Sequence, residues 1–498
     1  MDQFLANSRG VPGASQSSRR IYEALKAQIT DGSWPAGSRL PSTRSLASDR
    51  AVSRTTITAI YEQLAAEGYV QTAKGARARV AEGVGLAGGT GARKVSASGR
   101  AVRLSAYGRR VSDIALPSMP PAATSASTME FLYGALSSED FPTLIWRRAY
   151  NGALLQRQPR LYYSTPEGDP ALRTELQGYL RRARGLVCDP EQIIIVHGSQ
   201  QAIDLCARVL VDPGDRVLIE EPCYLMARRV FEAAGARMLA SPVDEHGLVT
   251  HDLPTGRTTL AYVTPSHQFP LGGVMPIARR QELLSWAQRS GAWIIEDDYD
   301  GEFRYGLRPV DALQSIDEAG SVIYVGTFSK ALSPQMRLGY LVLPQSLVSV
   351  FRHAKRLTDR HAPLLEQLTL ASLLRSGAYE RHVRRVRREN ERRRAVLLQA
   401  VGKHLPAETQ VEGAASGLHV VMWLTQLRSR DEETLVAQAR EHGVAVWPIS
   451  PTYAAGGAYR KRKCAGLVIG YASLNQAEIE EGMARLGAVV KQMGSRNP

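Results

Sequence analysis

The stretch Val322-Ile323-Tyr324-Val325-Gly326-Thr327-Phe328-Ser329-Lys330 places a lysine just after an apolar run that is typical of a buried β-strand. Thr327 and Ser329 supply hydroxyls beside Lys330, and Arg337 follows seven residues later. Hydroxyls and a guanidinium are the groups that a phosphate monoester needs beside an amine that forms an imine. A lone lysine after a strand is usually a surface residue, so the other strand ends decide the interpretation.

A second apolar run, Trp293-Ile294-Ile295-Glu296-Asp297-Asp298-Tyr299, ends in carboxylates and a phenol. Asp297 is placed to form a salt bridge with a protonated pyridine nitrogen, the partner that makes pyridoxal 5′-phosphate (PLP) an electron sink. Tyr299 is placed to hydrogen-bond the phenolic oxygen of the same ring. Taken alone, an Asp-Asp-Tyr run is equally typical of a loop start or a helix cap.

Two further strand ends carry groups that suit the same cofactor. The run Ile193-Ile194-Ile195-Val196-His197-Gly198-Ser199-Gln200 turns through glycine into a helix, whose N-terminus with Ser199 and Gln200 predicts a phosphate cradle. The strand that ends at Glu220-Glu221-Pro222-Cys223-Tyr224 places Tyr224 to stack on a flat ring, although a packed core tyrosine is the ordinary interpretation. Each signal is weak alone, since the glycine turn matches neither the dinucleotide nor the Walker pattern.

The four strand ends are more informative together than separately. From about residue 119 to the end, short apolar strands alternate with helical stretches, which predicts an α/β domain with a mostly parallel central sheet. Open α/β sheets bind ligands at the carboxyl ends of their strands. This region resembles the fold-type I PLP enzymes, specifically the aminotransferases, whose fold adds a smaller C-terminal α+β subdomain.

The resemblance assigns a part of PLP to each candidate residue. It implies that Lys330 forms the internal aldimine, that Asp297 pairs with the ring nitrogen, and that Tyr299 binds the ring oxygen. It also implies that Tyr224 stacks on the ring. The residues that it assigns to the phosphate are Ser199, Gln200, Thr327, Ser329 and Arg337, with Tyr163 reaching the phosphate of the neighbouring subunit.

Residues from about 15 to 80 carry the signals of three helices and a hairpin. Apolar residues at helical spacing begin at Ile21, and Ser42 and Ser53 are placed as N-caps of a second and a third helix. A basic hairpin with a turn at Lys74-Gly75 follows. The buried stripe predicted for the third helix consists of Ile57, Ile60, Tyr61 and Leu64.

This arrangement is a winged helix-turn-helix, and it resembles the GntR family of bacterial regulators. The resemblance rests on Leu40-Pro41-Ser42-x-Arg44-x-Leu46-Ala47, on Val52-Ser53-Arg54-x-Thr56 and on Leu64-x-x-Glu67-Gly68-Tyr69-Val70. The family's wing usually reads Gly-x-Gly-Thr, whereas this one reads Gly75-Ala76-Arg77-Ala78. The DNA contacts that we expect are Arg39, Arg44, Ser53, Arg54, Thr55, Thr58 and Arg77. A structural three-helix domain with a solvated basic face is the alternative.

The whole chain resembles the MocR/GabR subfamily of GntR regulators, which join a winged helix to an aminotransferase-like sensor. Thr264-Pro265-Ser266-His267-Gln268-Phe269-Pro270 is characteristic of that subfamily. The resemblance implies a transcription factor that forms head-to-tail, domain-swapped homodimers and binds operator DNA. It further implies a response to an amine, an amino acid or PLP itself.

Three positions depart from the aminotransferase or the subfamily pattern. Phe269 stands where aminotransferases have an asparagine that contacts the ring oxygen, as in the regulator subfamily. Val468 stands at the place of the arginine that clamps a substrate carboxylate, and Met226 replaces an extra arginine of γ-aminobutyrate-responsive relatives. Arg228 and Arg229 lie nearby. We therefore expect an effector other than γ-aminobutyrate, with PLP itself or an unusual amine in its place.

Composition and charge agree with a DNA-binding segment attached to an ordinary globular domain. The 498 residues are 44% hydrophobic with a net charge of +14, and residues 1–118 contain 17 Lys and Arg against 8 Asp and Glu. This asymmetry favours nucleic-acid binding, with a basic solvated surface as the alternative. The four cysteines lack metal-ligand spacing, and no apolar run reaches about 20 residues. We therefore expect a cytoplasmic protein without a metal site or a membrane span.

The expected domains are a winged helix over residues 15–80, a flexible basic linker over 81–118 and an effector domain over 119–498. Eight arginines between residues 381 and 394 are interleaved with glutamates, which favours a solvated or interface helix over a second DNA site. The sequence as a whole predicts a PLP-dependent transcriptional regulator. The alternatives are a working aminotransferase with an accessory or vestigial DNA-binding domain, and a DNA-binding module on a PLP-free scaffold.

Overall fold

A computed structural model of the chain describes residues 12–73, 76–84, 103–116, 128–156, 162–306, 310–454 and 462–495. The chain divides into two compact units, Met1–Arg103 and Leu104–Pro498. Within these described ranges, no helix has the length and apolarity that are needed to cross a membrane.

The N-terminal unit is a winged helix-turn-helix. Its elements are α1 (Pro12–Thr30), α2 (Thr43–Asp49), α3 (Arg54–Ala66), β1 (Val70–Gln71) and β2 (Arg79–Val80), with β1 and β2 antiparallel. Ser42 and Ser53 cap α2 and α3, since each hydroxyl accepts a 3.1 Å hydrogen bond from the N–H three residues on. The turn predicted at Lys74-Gly75 lies outside the described residues. The predicted stripe of α3 is buried in the core of this unit: Ile57, Ile60, Tyr61 and Leu64.

The larger unit begins with a helix and continues as an α/β domain. Its first elements are α4 (Ala106–Asp113), β3 (Met129–Glu130), α5 (Thr143–Leu155), α6 (Pro170–Arg184), β4 (Ile193–Val196), α7 (Gly198–Leu210), β5 (Arg216–Glu221), α8 (Leu225–Ala234), β6 (Arg237–Asp244), β7 (Gly247–Leu248), β8 (Leu260–Val263), α9 (Ile277–Ser290), β9 (Trp293–Asp298), β10 (Val322–Thr327) and β11 (Gly339–Val342). Its later elements are α10 (Val348–Asp359), α11 (Leu364–Arg375), α12 (Ala378–His404), β12 (Gln410–Glu412), β13 (His419–Leu424), α13 (Glu432–Glu441), β14 (Val444–Ala445), β15 (Trp447–Pro448), β16 (Ala465–Gly470) and α14 (Gln476–Gly494).

The central sheet has the order β4-β11-β10-β9-β8-β5-β6-β7. The strands from β10 to β6 run parallel, whereas β11 is antiparallel to both of its neighbours and β7 is antiparallel to β6. Helices α7, α8 and α10 cover one face, and α6, α9 and α11 cover the other. Strands β4, β5, β8, β9, β10 and β11 are therefore buried on both faces, as their continuous apolar runs predict, whereas β6 near the edge of the sheet is partly exposed. In the register, Asp297 lies beside Val325, so the ends of β9 and β10 meet at one edge.

The C-terminal part is a smaller layer of mixed α and β structure. Strands β12, β13, β16 and β15 form an antiparallel sheet, and α12, α13 and α14 pack against it around a separate apolar core. This confirms the predicted aminotransferase-like fold with a smaller α+β subdomain.

The predicted linker contains an ordered helix, α4, within its described residues. Ser105 caps this helix by accepting a 3.0 Å hydrogen bond from the N–H of Gly108. Arg110 donates hydrogen bonds to the carbonyls of Ala233 and Ala234 at the end of α8. Composition alone favoured a flexible segment here because these stabilising contacts come from residues more than 100 positions away.

The arginine-rich segment forms part of α12. Arg393 makes a 2.5 Å ion pair with Asp140, and Arg394 lies over the ring of Tyr305 at 4.6 Å. These partners belong to the same unit, so the two arginines stabilise the fold of the larger domain.

Candidate functional site

A cavity of about 660 Å³ lies at the carboxyl ends of the central strands. Its lining includes nine of the ten residues that the sequence predicted for the cofactor. These nine are Ser199, Gln200, Tyr224, Asp297, Tyr299, Thr327, Ser329, Lys330 and Arg337. The strand order explains the convergence, because β4, β10 and β9 deliver their chain ends to one edge of the sheet.

Lys330 and Asp297 define the reactive part of the cavity. Burial lowers the pKa of the Lys330 amine below its ordinary value, while Asp300 and Asp297 oppose that shift. Burial raises the pKa of the Asp297 carboxyl to about 7, although a hydrogen bond from Tyr262 opposes the change. The Tyr262 hydroxyl donates to Oδ2 of Asp297 at 2.6 Å, whereas the buried Oδ1 has no partner among the described residues. An acceptor of this kind needs a hydrogen-bond donor.

The next residue, Asp298, points away from the cavity. Its carboxylate pairs with Arg184 at 2.5 Å, and both side chains are buried. Successive residues of a strand face opposite sides, so the Asp297-Asp298 pair serves the cavity with one carboxylate and the core with the other.

The cradle predicted for a phosphate forms where β4 turns into α7. Gly198 has φ +78°, and a Cβ there would lie 3.0 Å from Nη2 of Arg337. Arg337 donates a 2.9 Å hydrogen bond to the carbonyl of His197, which fixes its guanidinium beside this turn. The Oε1 atom of Gln200 is buried without a partner in the described structure. Glycine and arginine thus create a close approach of backbone and cation that suits an anion at a helix N-terminus.

Aromatic rings form one wall of the cavity. The ring of Phe269 lies 5.8 Å from that of Tyr224, 5.2 Å from that of Tyr133 and 5.9 Å from that of Tyr299. Tyr224 precedes α8 directly and has its ring edge-on to Phe269. The wall offers apolar ring faces and edges beside Tyr224, the residue that the sequence predicted to stack on a ring.

The lining of the cavity has an apolar part. Leu116, Leu132, Met226 and Trp447 line it, and Val468 is buried in an adjoining apolar cluster. Among the described lining residues, Lys330 is the one lysine and Arg337 is the one arginine.

The two arginines that follow Met226 have partners elsewhere. Arg228 is buried and pairs with Glu221 at 2.6 Å, and Arg229 pairs with Glu232 at 2.5 Å. Neither lines the cavity. The nearby arginines thus do not replace the carboxylate clamp that the sequence lacks.

Tyr163 is the one predicted cofactor residue that does not line this cavity. Its side chain is exposed, and its ring lies 4.3 Å from the guanidinium carbon of Arg360. The contact it was predicted to make belongs to a neighbouring subunit, so it stays a prediction.

The residues predicted to contact DNA lie on the surface of the N-terminal unit. The exposed ones are Arg39, Arg44, Ser53, Arg54, Thr55 and Arg77, and Thr58 is half-buried. The hydroxyl of Ser53 accepts the hydrogen bond that caps α3, and the hydroxyl of Thr58 donates to the carbonyl of Arg54 at 2.9 Å. The four arginines of this set are exposed, and Arg54 stands at the first position of α3.

Three polar residues of the site were given no role from the sequence, although His267 stands in the quoted Thr264–Pro270 motif. His267, Asp300 and His419 are buried, and Nδ1 of His267 lies 3.0 Å from the Asp300 carboxylate and 2.8 Å from the Tyr299 hydroxyl. Asp300 and His419 line the cavity. Asp300 directly follows Tyr299 in the sequence, which is a signal that could have found it, whereas His419 comes from the distant C-terminal layer.

Known protein families match both parts of the chain. A model of the aminotransferase class I and II family matches residues 133–486. A model of the bacterial regulatory proteins of the gntR family matches residues 17–80. These ranges fall within the α/β domain and the winged helix respectively.

Relatives of nearly the same length carry both parts. The chain is 35% identical over 484 residues to the probable rhizopine catabolism regulatory protein MocR of Rhizobium meliloti, covering 94% of this chain and 92% of that protein. It is 31% identical to the HTH-type pyridoxine biosynthesis transcriptional regulator PdxR of Corynebacterium glutamicum, covering 95% of each. A solved structure of Pyrococcus horikoshii kynurenine aminotransferase, in complex with PMP, matches with a TM-score of 0.68 and 28% identity, covering 74% of this chain and 92% of that one.

Proposed function

We propose that the chain, which belongs to the MocR-type transcriptional regulators of the GntR family, controls transcription through PLP and a small-molecule effector bound in the cavity. Over its larger part the chain also belongs to the aminotransferase class I and II family. It is a DNA-binding regulator with PLP as its cofactor. The observation that carries the proposal is the presence of Lys330 and a half-satisfied Asp297 carboxylate in one cavity.

The residues of the cavity fit PLP. The unpartnered Oδ1 of Asp297 offers the acceptor that a protonated ring nitrogen requires, and the turn at Gly198 with Arg337 suits the phosphate. When bound, PLP supplies an aldehyde that condenses with the Lys330 amine and a ring that withdraws electrons from it. The lowered pKa of Lys330 keeps more of that amine in the uncharged, nucleophilic form.

Each remaining residue of the predicted set has a positioning task. Tyr224 and the neighbouring aromatic wall hold the ring, and Tyr299 binds its oxygen. The phosphate is held by Ser199, Gln200, Thr327, Ser329 and Arg337. The hydroxyl of Thr327 already accepts a 3.1 Å hydrogen bond from the N–H of Ser329, which fixes the loop before Lys330.

The apolar part of the cavity lining favours an effector without a carboxylate. Met226, Trp447, Leu132 and Leu116 offer apolar contacts, and the described lining places no second cation there. A carboxylate that entered this part of the cavity would lose its hydrating water and find no cation to pair with, which costs several kcal/mol. We therefore propose that the effector is PLP itself or an amine with an uncharged remainder.

An exposed apolar surface on α5 supports a homodimer. Leu144, Ile145, Leu154 and Leu155 are exposed on this helix. A second cavity of about 620 Å³ lies between α5 and α11. We propose that a second copy of the chain covers this face and that Tyr163 reaches the partner's phosphate site, in a domain-swapped arrangement.

Footprinting on the DNA upstream of the chain's own gene, with and without PLP, tests the proposal. A protected site whose occupancy changes with PLP supports it. A protein that gains no PLP absorbance, or that protects no site in either condition, contradicts it.

A second candidate function is transamination. One cavity contains Lys330, Asp297 and Tyr299, which favours a remaining ability to transfer amino groups. Multiple-turnover amino transfer with common amino acids, together with no protected promoter DNA, would favour this second function over regulation.

A further inference from the structure

Asp300, His267 and Tyr299 form a chain of hydrogen bonds that ends in the cavity. The Nδ1 atom of His267 lies 3.1 and 3.0 Å from the two carboxylate oxygens of Asp300. The same Nδ1 lies 2.8 Å from the hydroxyl oxygen of Tyr299. Asp300 and His267 are 2% and 3% exposed, so water does not compete with these contacts. Tyr299 itself lines the cavity.

The packing around His267 fixes the orientation of its ring. Gly417 has φ +81°, and a Cβ there would collide with Cε1 of His267. Gly272 has φ +83°, and a Cβ there would lie 3.1 Å from Nε2 of His267. Two glycines with left-handed backbone therefore make the space for the imidazole. The imidazole therefore packs closely against these two glycines.

The contacts determine where the hydrogen atoms are. Both oxygens of the Asp300 carboxylate lie within hydrogen-bonding distance of Nδ1, and a carboxylate accepts hydrogen bonds, so we place a hydrogen on Nδ1 of His267. The opposite tautomer would face the carboxylate with a lone pair and would bury an Nε2–H, and Nε2 has no partner among the described residues. Because Nδ1 carries its hydrogen, it has no lone pair to which the Tyr299 hydroxyl could donate, and the single N–H is shared between the Asp300 carboxylate and the Tyr299 oxygen. The hydrogen of the Tyr299 hydroxyl is then free for another acceptor.

The state of Tyr299 agrees with this role. Burial, followed by the charges of Asp300 and Asp297, raises the pKa of Tyr299 well above its ordinary value. Its hydroxyl therefore keeps its hydrogen. Phe269, in the same aromatic wall, has no hydrogen-bonding group to offer to a ring oxygen.

We propose that Asp300 and His267 are positioning residues that keep Tyr299 a hydrogen-bond donor to the ring oxygen of PLP, in place of the amide donor that Phe269 lacks. The inference rests on the proposed PLP binding. A donor at this place stabilises the ionised form of the ring oxygen, which absorbs in the visible, over the protonated form, which absorbs in the near ultraviolet. This hydrogen bond to bound PLP does not require that the protein catalyse a reaction.

The test measures the ratio of these two absorbance bands in the PLP-loaded full-length protein. Tyr299→Phe defines the loss of the donor, and we expect the visible-to-ultraviolet ratio to fall about tenfold. His267→Phe and Asp300→Ala should each shift the ratio in the same direction. His267→Gln, which keeps a side-chain N–H, should restore most of it. The double variant His267→Phe/Tyr299→Phe should fall no further than Tyr299→Phe alone.

His404 and Glu480 provide the matched control. They form a histidine–carboxylate pair of 2.8 Å outside the cavity, so His404→Phe and Glu480→Ala should leave the ratio unchanged. If His267→Phe does not fold by circular dichroism, His267→Leu replaces it, because the charge of Asp300 also acts on the pKa of Lys330 and Asp300→Ala alone does not isolate the effect on Tyr299. Unchanged ratios in His267→Phe and Asp300→Ala, or additive effects in the double variant, would overturn the inference. Failure of the wild type to bind PLP would instead overturn the proposed function.

Discussion

The guanidinium of Arg110 donates a 2.8 Å hydrogen bond to the carbonyl of Ala233, in the last turn of α8. A second hydrogen bond of 3.2 Å goes to Ala234. Helix α8 begins at Leu225, which lines the cavity. Leu116, three residues after the end of α4, lines the same cavity. The segment that follows the DNA-binding unit in sequence therefore contacts the last turn of α8 and also lines the cavity.

Arg110→Ala should separate effector binding from DNA binding. The variant loses the anchor of α4 on α8, so we expect PLP to bind as before while the DNA affinity no longer changes with PLP. Fluorescence anisotropy on operator DNA, with and without PLP, measures both quantities. Arg109→Ala is the matched control, because Arg109 bonds the carbonyl of Leu104 in its own segment. A full PLP response in Arg110→Ala would show that this anchor does not carry the signal.

Lys330→Ala should abolish the absorbance of bound PLP without unfolding either unit. Among the described residues, Lys330 forms no hydrogen bond or ion pair that its removal would break, and its amine is needed only for the covalent bond to PLP. Absorbance after addition of PLP and anisotropy on operator DNA check the two halves of this expectation. Loss of DNA binding together with loss of the circular dichroism signal would contradict the modular arrangement.

The sequence predicted the site where its signals are local. Asp297 lies at the end of an apolar strand, Lys330 and Tyr224 each follow one by three residues, and parallel strands bring their ends to one edge, so nine of the ten residues line one cavity. The pair of His267 and Asp300 was missed because its geometry depends on a third segment at residue 417. Contacts between segments that are distant along the chain have no local pattern from which to read them.

Arg54→Ala should weaken DNA binding through lost phosphate neutralisation. Arg54 is exposed at the first position of α3, so its removal should reduce the slope of log affinity against log salt by about 1. The PLP spectrum should not change. Arg485→Ala, which removes an arginine paired with Glu481 on α14, controls for net charge. An unchanged salt slope in Arg54→Ala would place the DNA contacts elsewhere.

Asp297 should make PLP binding depend on pH. Burial raises the pKa of its carboxyl to about 7, so below that pH the free protein holds a proton that must leave before a protonated ring nitrogen can pair with the carboxylate. The affinity for PLP should therefore fall as the pH drops below about 7, by up to about tenfold per pH unit, and level off above it. PLP titrations across this range check the expectation. Asp297→Asn should bind more weakly and lose this component of the pH dependence; an identical profile in the variant would refute it.

Met226→Arg should give the cavity the carboxylate partner that it lacks. Met226 is half-buried at the second position of α8 and lines the cavity, so an arginine there can meet a carboxylate next to the apolar wall. γ-Aminobutyrate and butylamine form a suitable pair of probes, because they share a four-carbon chain and differ in the carboxylate. We expect the wild type to favour butylamine in titrations of the PLP spectrum, and Met226→Arg to shift the preference toward γ-aminobutyrate by about tenfold or more. Met226→Leu, which stays uncharged, should behave as the wild type. A wild type that already prefers γ-aminobutyrate would mean that a cation outside the described lining meets the carboxylate. The proposal of an effector without a carboxylate would then be wrong.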